Sequence, residues 1–189
     1  PGGEKKQADF RAEIARSCPE TVTPTACYAE FQQKGFDYGP TFQGIRSLQR
    51  GRYDALAEIE LPASLQAESE SYFFHPALLD ACFQVMVAID AFGKNGNEPS
   101  DVYLPVRIER LALYALPERR VWSHAHIVEK GETSIVGDIQ VFDAEGRLLA
   151  AIEGFRARSL AGKAVSRPEA ANDWLYALVW QPQQREESA

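Results

Sequence analysis

"YFFHPALLDACFQVMVAIDAF", Tyr72 to Phe92, is the stretch on which the fold turns. His75 stands at a helix-cap position and Pro76 at the first helical position, where the missing N–H costs nothing and the fixed φ is already helical. Leu78, Leu79, Cys82, Phe83, Val85, Met86, Val87, Ile89 and Phe92 then cover nearly the whole circumference, and Gly93 supplies a stop. A helix without a polar face belongs inside a protein, because a surface helix keeps one wet side. Two residues interrupt the pattern, Asp80 and, four positions on, Gln84. At that spacing both side chains leave the same face and can touch. A buried carboxylate is costly unless it is paired or hydrogen-bonded, and no basic residue stands within a turn of Asp80. Two readings stand at this point. In one, Asp80 is a general acid, held between the helix amino terminus, which favours the anion, and apolar burial, which favours the neutral acid, with Gln84 fixing its orientation. In the other, Asp80 faces a pocket mouth or water, or hydrogen-bonds a loop amide.

Working outward, Thr23 caps a second helix with Pro24 at its first position and Gly35 as its stop; Ala26, Ala29 and Phe31 give it a modest apolar face, which predicts a peripheral helix. "GFDYGPTFQG", Gly35 to Gly44, reads as a structured turn, and "IRSLQRGRYDALAEIEL" as a hairpin with Tyr53, Ala55, Ala57 and Ile59 on one face. Beyond the polar loop "GKNGNEPSD", the runs "YLPVRIERLALYA", "RRVWSHAHIVEK", "TSIVGDIQVFD" and "GRLLAAIEGFRARSL" are strand-like, the last three joined by turns at "KGE" and "DAEG". One buried helix with five or six antiparallel strands is an α+β arrangement in which a curved sheet wraps the helix, which describes a hotdog fold.

The 189 residues, 45% of them hydrophobic, suffice for one substantial domain. We place it at 23–160, with 1–22 as linker and 161–189 as linker plus the start of a segment leading elsewhere. The opening "PGG" and closing "QPQQREESA" look like cuts in a longer polypeptide. A formal charge of -7 disfavours a nucleic-acid or anionic-membrane partner. Three cysteines without metal-ligand spacing argue against a disulfide framework, and neither a signal peptide nor an apolar run of membrane-spanning length is evident. These features predict a soluble chain in the cytoplasm.

Three elements carry a family resemblance. "HPALLDACFQ" resembles the His-Pro-x-x-x-Asp-x-x-x-Gln motif of the dehydratase domains of type I polyketide synthases and animal-type fatty acid synthases. "GFDYGPTFQG" resembles their Gly-Tyr-x-Tyr-Gly-Pro-x-Phe motif, with Phe36 in place of the first tyrosine. "LPVRI", Leu104 to Ile108, resembles their Leu-Pro element. The elements follow the family's order, and with the closing "WLYALVWQP" the resemblance covers about Thr23 to Pro182.

The resemblance implies the carboxy-terminal half of a double hotdog. The intact domain would eliminate water from a β-hydroxyacyl thioester carried on an acyl carrier protein, giving an α,β-unsaturated thioester. It makes Asp80 the acid for the departing hydroxyl, Gln84 its orienter and Tyr38 a polar residue of the site. It also draws Gly39, Pro40, Phe42, His75, Pro76, Leu104 and Pro105 into the substrate surroundings. The implied partners are the amino-terminal hotdog and the carrier protein with its phosphopantetheine arm. No metal or redox cofactor is implied. An isolated half would expose apolar surface and is expected to self-associate, as a homodimer imitating the double hotdog.

The family's base motif, His-x-x-x-Gly-x-x-x-x-Pro, is not found in these residues. Histidine occurs only at 75, 124 and 126; the last two share one strand face, with no third metal ligand evident. The fragment alone is thus expected to be inactive. The rival readings are a non-catalytic hotdog that binds acyl chains or partner domains, and an isomerase or cyclase on the same fold. Arg107, Arg110 and "PERR" form a small basic group, mostly solvated strand ends on the bland reading. The tryptophans and Cys82 read as packing residues.

Overall fold

The computed structural model describes residues 10–89 and 103–159. A helix α1 (Pro24–Gln33) and a helix α2 (Pro76–Val87) accompany eight strands: β1 (Glu20–Val22), β2 (Ile45–Arg50), β3 (Asp54–Glu60), β4 (Tyr103–Arg107), β5 (Arg110–Leu113), β6 (Arg120–Lys130), β7 (Ser134–Phe142) and β8 (Leu148–Ser159). All pairings are antiparallel, and the order is β1-β2-β3-β6-β7-β8-β4, with β5 also on β8. The meander expected from the turn residues is β6-β7-β8. Among the described residues eight strands stand where five or six were expected. One gain is β1, which pairs with β2 from within the expected linker. Another comes from "YLPVRIERLALYA", which breaks at Ile108–Glu109 into β4 and β5. The folded part therefore begins upstream of Thr23, and Phe10 packs its ring 5.0 Å from that of Phe142.

The central helix forms because Pro76 and the His75 cap start it, and because the sheet removes its apolar surface from water. Eight of its twelve residues are buried, among them Leu78, Cys82, Val85 and Met86, and it packs on β3, β6 and β7. The facing strand positions are small: Ala55 and Ala57 on β3, Ser123 and Ala125 on β6, Gly137 on β7. Small residues let the helix axis come close without forcing side chains off their rotamers. The helix ends at Val87, with Ala88 as its cap, five residues short of Phe92. The expected stop at Gly93 and the loop after it lie outside the described residues, as does the carboxy-terminal segment. The end of the helix is met from far away in sequence: the buried Arg50 side chain donates to the Ala88 carbonyl at 3.4 Å and is itself held by Glu20 and Glu30. A cation there suits the negative end of the helix dipole.

Helix α1 has the predicted start, with Thr23 Oγ1 accepting from the Ala26 N–H at 3.3 Å. Its inner face differs from expectation. Ala26 and Ala29 are exposed, while Cys27 and Phe31, one turn apart, are buried. Tyr53 likewise falls outside the buried face of β3, because the strand begins after it.

Gly137 gives the closest sheet-to-helix approach a direct test. A Cβ there would lie 2.5 Å from the Met86 Cε and 2.5 Å from the His126 carbonyl oxygen, so the helix or the strand would have to move. Gly137→Ala should destabilise the chain by about 1–3 kcal/mol, read as a lower melting temperature in thermal denaturation. An unchanged melting temperature would mean that α2 does not sit this close to β7.

Candidate active site

The amino-terminal turn of α2 is organised by His75. Its Nδ1 accepts from the Ala77 N–H at 3.1 Å, so the ring proton sits on Nε2, which faces Glu68 Oε1 at 3.4 Å, and the Tyr72 ring packs edge-on at 4.9 Å. This imidazole is occupied as a cap. Asp80 follows in the second turn, half-buried, and no cationic side chain pairs with it among the described residues.

The "GFDYGPTFQG" segment supplies the opposing wall. Pro40–Phe42 form one 3-10 turn that packs against α2. Gly44 just beyond it lets the chain touch the helix, since a Cβ there would stand 3.1 Å from the Ala81 Cβ and 3.2 Å from the Glu60 carbonyl oxygen. This contact delivers the Phe42 carbonyl to Gln84, whose Nε2 donates to it at 2.9 Å and to Asp80 Oδ2 at 2.9 Å. Gln84 is 1% exposed, so each of these bonds removes a polar atom from unfavourable burial.

Tyr28 of α1, which the sequence did not single out, completes the group. Its hydroxyl donates to Gln84 Oε1 at 3.1 Å and accepts from the Ile45 N–H at 3.0 Å. Tyr38 packs edge-on against Tyr28 and Phe31, and Phe36, the residue that departs from the family motif, stacks on it at 6.0 Å. Burial pushes both phenols up, and the nearby Asp80 charge pushes Tyr38 further.

Burial also raises the Asp80 carboxyl above its ordinary value, and the Gln84 hydrogen bond offsets part of that rise. The helix dipole does not reverse the balance, because its field fades within the first turn and Asp80 stands beyond it. The arrangement is a carboxylic acid inclined to hold its proton, with Oδ2 committed to an amide donor and Oδ1 without a hydrogen-bond partner among the described residues. Such a group can give a proton to an oxygen placed before it.

The expected site residues thus divide. Asp80, Gln84, Tyr38 and Phe42 come together. Gly39 and Pro40 are exposed beside them, and a Cβ on Gly39 would meet nothing within 4 Å. His75 and Pro76 build the helix start. Leu104 and Pro105 lie on β4, paired with Arg158 and Ala157 of β8 at the other end of the strand order. His124 and His126 both bond Asp54 Oδ1 at 2.9 Å. The basic group is largely paired at the surface, Arg110 with Glu153 and Arg120 with Glu58 and Glu60.

Comparison with known proteins agrees with this architecture. Residues 7–167 match the family model described as polyketide synthase dehydratase N-terminal domain. The fold superposes on the dehydratase domain from the CurK module of the curacin polyketide synthase, with a TM-score of 0.69 and 35% identity over 82% of this chain and 53% of that one. A trans-AT polyketide synthase dehydratase domain from Brevibacillus brevis gives a TM-score of 0.70 at 26% identity, over 80% of this chain and 53% of that one. Among curated sequences, polyketide synthase PksM of Bacillus subtilis is 29% identical over 173 residues, which is 86% of this chain and 4% of that protein. The chain belongs to the polyketide synthase dehydratase family. It spans about half the length of the solved dehydratase domains and a small part of the curated synthases.

The raised carboxyl has a consequence for stability. A group whose folded-state pKa exceeds its unfolded value stabilises the fold fully below the unfolded pKa, about 4 for aspartate, and that contribution is lost as pH rises through the folded value. Asp80→Asn escapes the loss. Thermal melting should place the variant above wild type at pH 7, with the gap closing toward pH 3; a gap that does not change with pH would remove charge burial as its cause.

Proposed function

We propose that the chain is the aspartate-bearing, carboxy-terminal hotdog of a polyketide synthase dehydratase, and that Asp80 is the acid of the elimination. The observation that carries this is the half-buried Asp80 carboxyl, raised by burial, without a cation among the described residues and held on one oxygen by Gln84. The description of the matching family model names the amino-terminal domain. Against that stands the placement of the His-Pro-x-x-x-Asp motif on the central helix. The share of the solved CurK dehydratase domain that the chain covers, 53%, suits one hotdog of two. The solved CurK structures include an inactive aspartate-to-asparagine mutant and an inactive histidine-to-phenylalanine mutant, whose histidine precedes the aspartate by far more than the span from His75 to Asp80.

In the proposed reaction the proton on Asp80 Oδ1 passes to the β-hydroxyl oxygen of the carrier-bound acyl chain. The carbon–oxygen bond breaks and water leaves. A base takes the α-proton, and that bonding pair becomes the new double bond. Tyr38 lines the path of the hydroxyl, and the open space over Gly39 gives the acyl chain room. The base comes from the other hotdog, because all three histidines of this chain are engaged, His75 in capping α2 and His124 and His126 with Asp54. The acyl carrier protein and the amino-terminal hotdog are therefore the proposed partners. The exposed apolar side chains Phe73, Val106 and Leu116 are surface that a second hotdog, or a second copy of this chain, would cover.

In the intact dehydratase, Asp80→Asn should lower turnover of a β-hydroxyacyl thioester by about 10²–10⁴-fold with substrate binding little changed. Dehydration within about twofold of wild type would refute the acid role. These 189 residues alone should be inactive, and mixing with the histidine-bearing half should restore turnover.

A further inference from the structure

We propose that Tyr28 is a positioning residue for the acid: its phenol holds the carbonyl end of the Gln84 side chain, so that the amide N–H groups are delivered to Asp80 Oδ2 and to the Phe42 carbonyl. The catalytic meaning of this rests on the acid role of Asp80; the geometry does not. A backbone carbonyl can only accept, so the Gln84 atom 2.9 Å from the Phe42 oxygen is the nitrogen. The other end of the amide is then an oxygen that needs a donor while its residue is 1% exposed. Tyr28 is that donor, at 3.1 Å. Its one proton is directed there because its oxygen already accepts from the Ile45 N–H at 3.0 Å, and because the competing acceptor, the Phe42 carbonyl, is 3.5 Å away.

One hydroxyl thus ties α1, the start of β2, the 3-10 turn and α2 to the orientation of a single amide. Without it, Gln84 Oε1 and the Ile45 N–H lose their partner together. The amide cannot answer by turning over, since that would set Oε1 against the Phe42 carbonyl, acceptor against acceptor. The remaining relief is displacement of Gln84, which loosens its bond to Asp80. Donation from Gln84 favours the ionised carboxylate, so loosening it raises the Asp80 pKa.

The test is an NMR titration of the Asp80 side-chain carboxyl carbon in this chain, for wild type, Tyr28→Phe, Gln84→Leu and the double variant. Tyr28→Phe should raise the Asp80 pKa by about half a unit to one unit, and the double variant should titrate no higher than Gln84→Leu alone. A folded Tyr28→Phe protein whose Asp80 titrates within about 0.2 unit of wild type, or a double variant whose shift is the sum of the two, would overturn the proposal. Should Tyr28→Phe not fold, the wild-type Tyr28 hydroxyl decides. A slowly exchanging phenol proton with a nuclear Overhauser effect to the Gln84 side chain supports positioning, and one that exchanges too fast to observe refutes it. Loss of the acid reading through Asp80→Asn in the intact enzyme would leave these titrations unaffected, so the two ideas fail separately.

Discussion

A helix that is apolar nearly all round constrains everything else in this molecule. Of the twelve residues of α2, eight are buried, and no single flat partner could cover so wide an arc. A sheet can do so by wrapping, and it can wrap closely only where its inward positions are small, as at Ala57, Ala125 and Gly137. The side left to the 3-10 turn Pro40–Phe42 is where Asp80 and Gln84 emerge. The requirement that builds the fold therefore also fixes the place where a polar pair can stand beside an apolar enclosure.

Two charged residues in this interior meet opposite fates. Arg50 is 5% exposed; burial alone would lower its pKa, but hydrogen bonds to Glu30 and Glu20 outweigh that, and its charge is kept. Removing either carboxylate would leave much of that charge uncompensated, so the group is structural and fixed. Asp80 has an amide in place of a counter-ion. Hydrogen bonding to Gln84 eases the cost of ionisation without cancelling it, and the carboxyl stays raised. A buried charge that is fully paired cannot change its protonation state cheaply, whereas a carboxyl with only an amide for company can, and changing protonation state is what an acid must do.

Much of this was legible in the sequence because the signals were local. The cap at His75, the proline after it, the four-residue spacing of Asp80 and Gln84 and the three hairpin strands each lie within a few residues of one another. What was missed depends on residues that meet only after folding. The carbonyl at the end of α2 is capped by Arg50, 38 positions before Ala88. Tyr28 reads as one more aromatic on a peripheral helix, and its reach to Gln84 spans 56 positions. Its one sequence signal is a hydroxyl carried next to the buried Cys27 and three residues before the buried Phe31, on the inward side of α1, where a phenylalanine would have packed as well.

That substitution, a tyrosine where phenylalanine would pack, bears on how the site is built. A buried phenol raised by desolvation is a poor acid and stays protonated, which makes it a dependable one-proton donor across the working pH range. Gln84 is likewise without a titrating group. Asp80 is therefore flanked by partners whose protonation does not change with pH, and its Oδ2 sees the same donor throughout. Of this tyrosine–amide–carboxyl group the Asp80 carboxyl is the member that exchanges its proton most readily, its pKa raised by burial but still that of a carboxylic acid, and with Oδ2 already accepting from the amide, the exchange is directed through Oδ1, on the side away from Gln84.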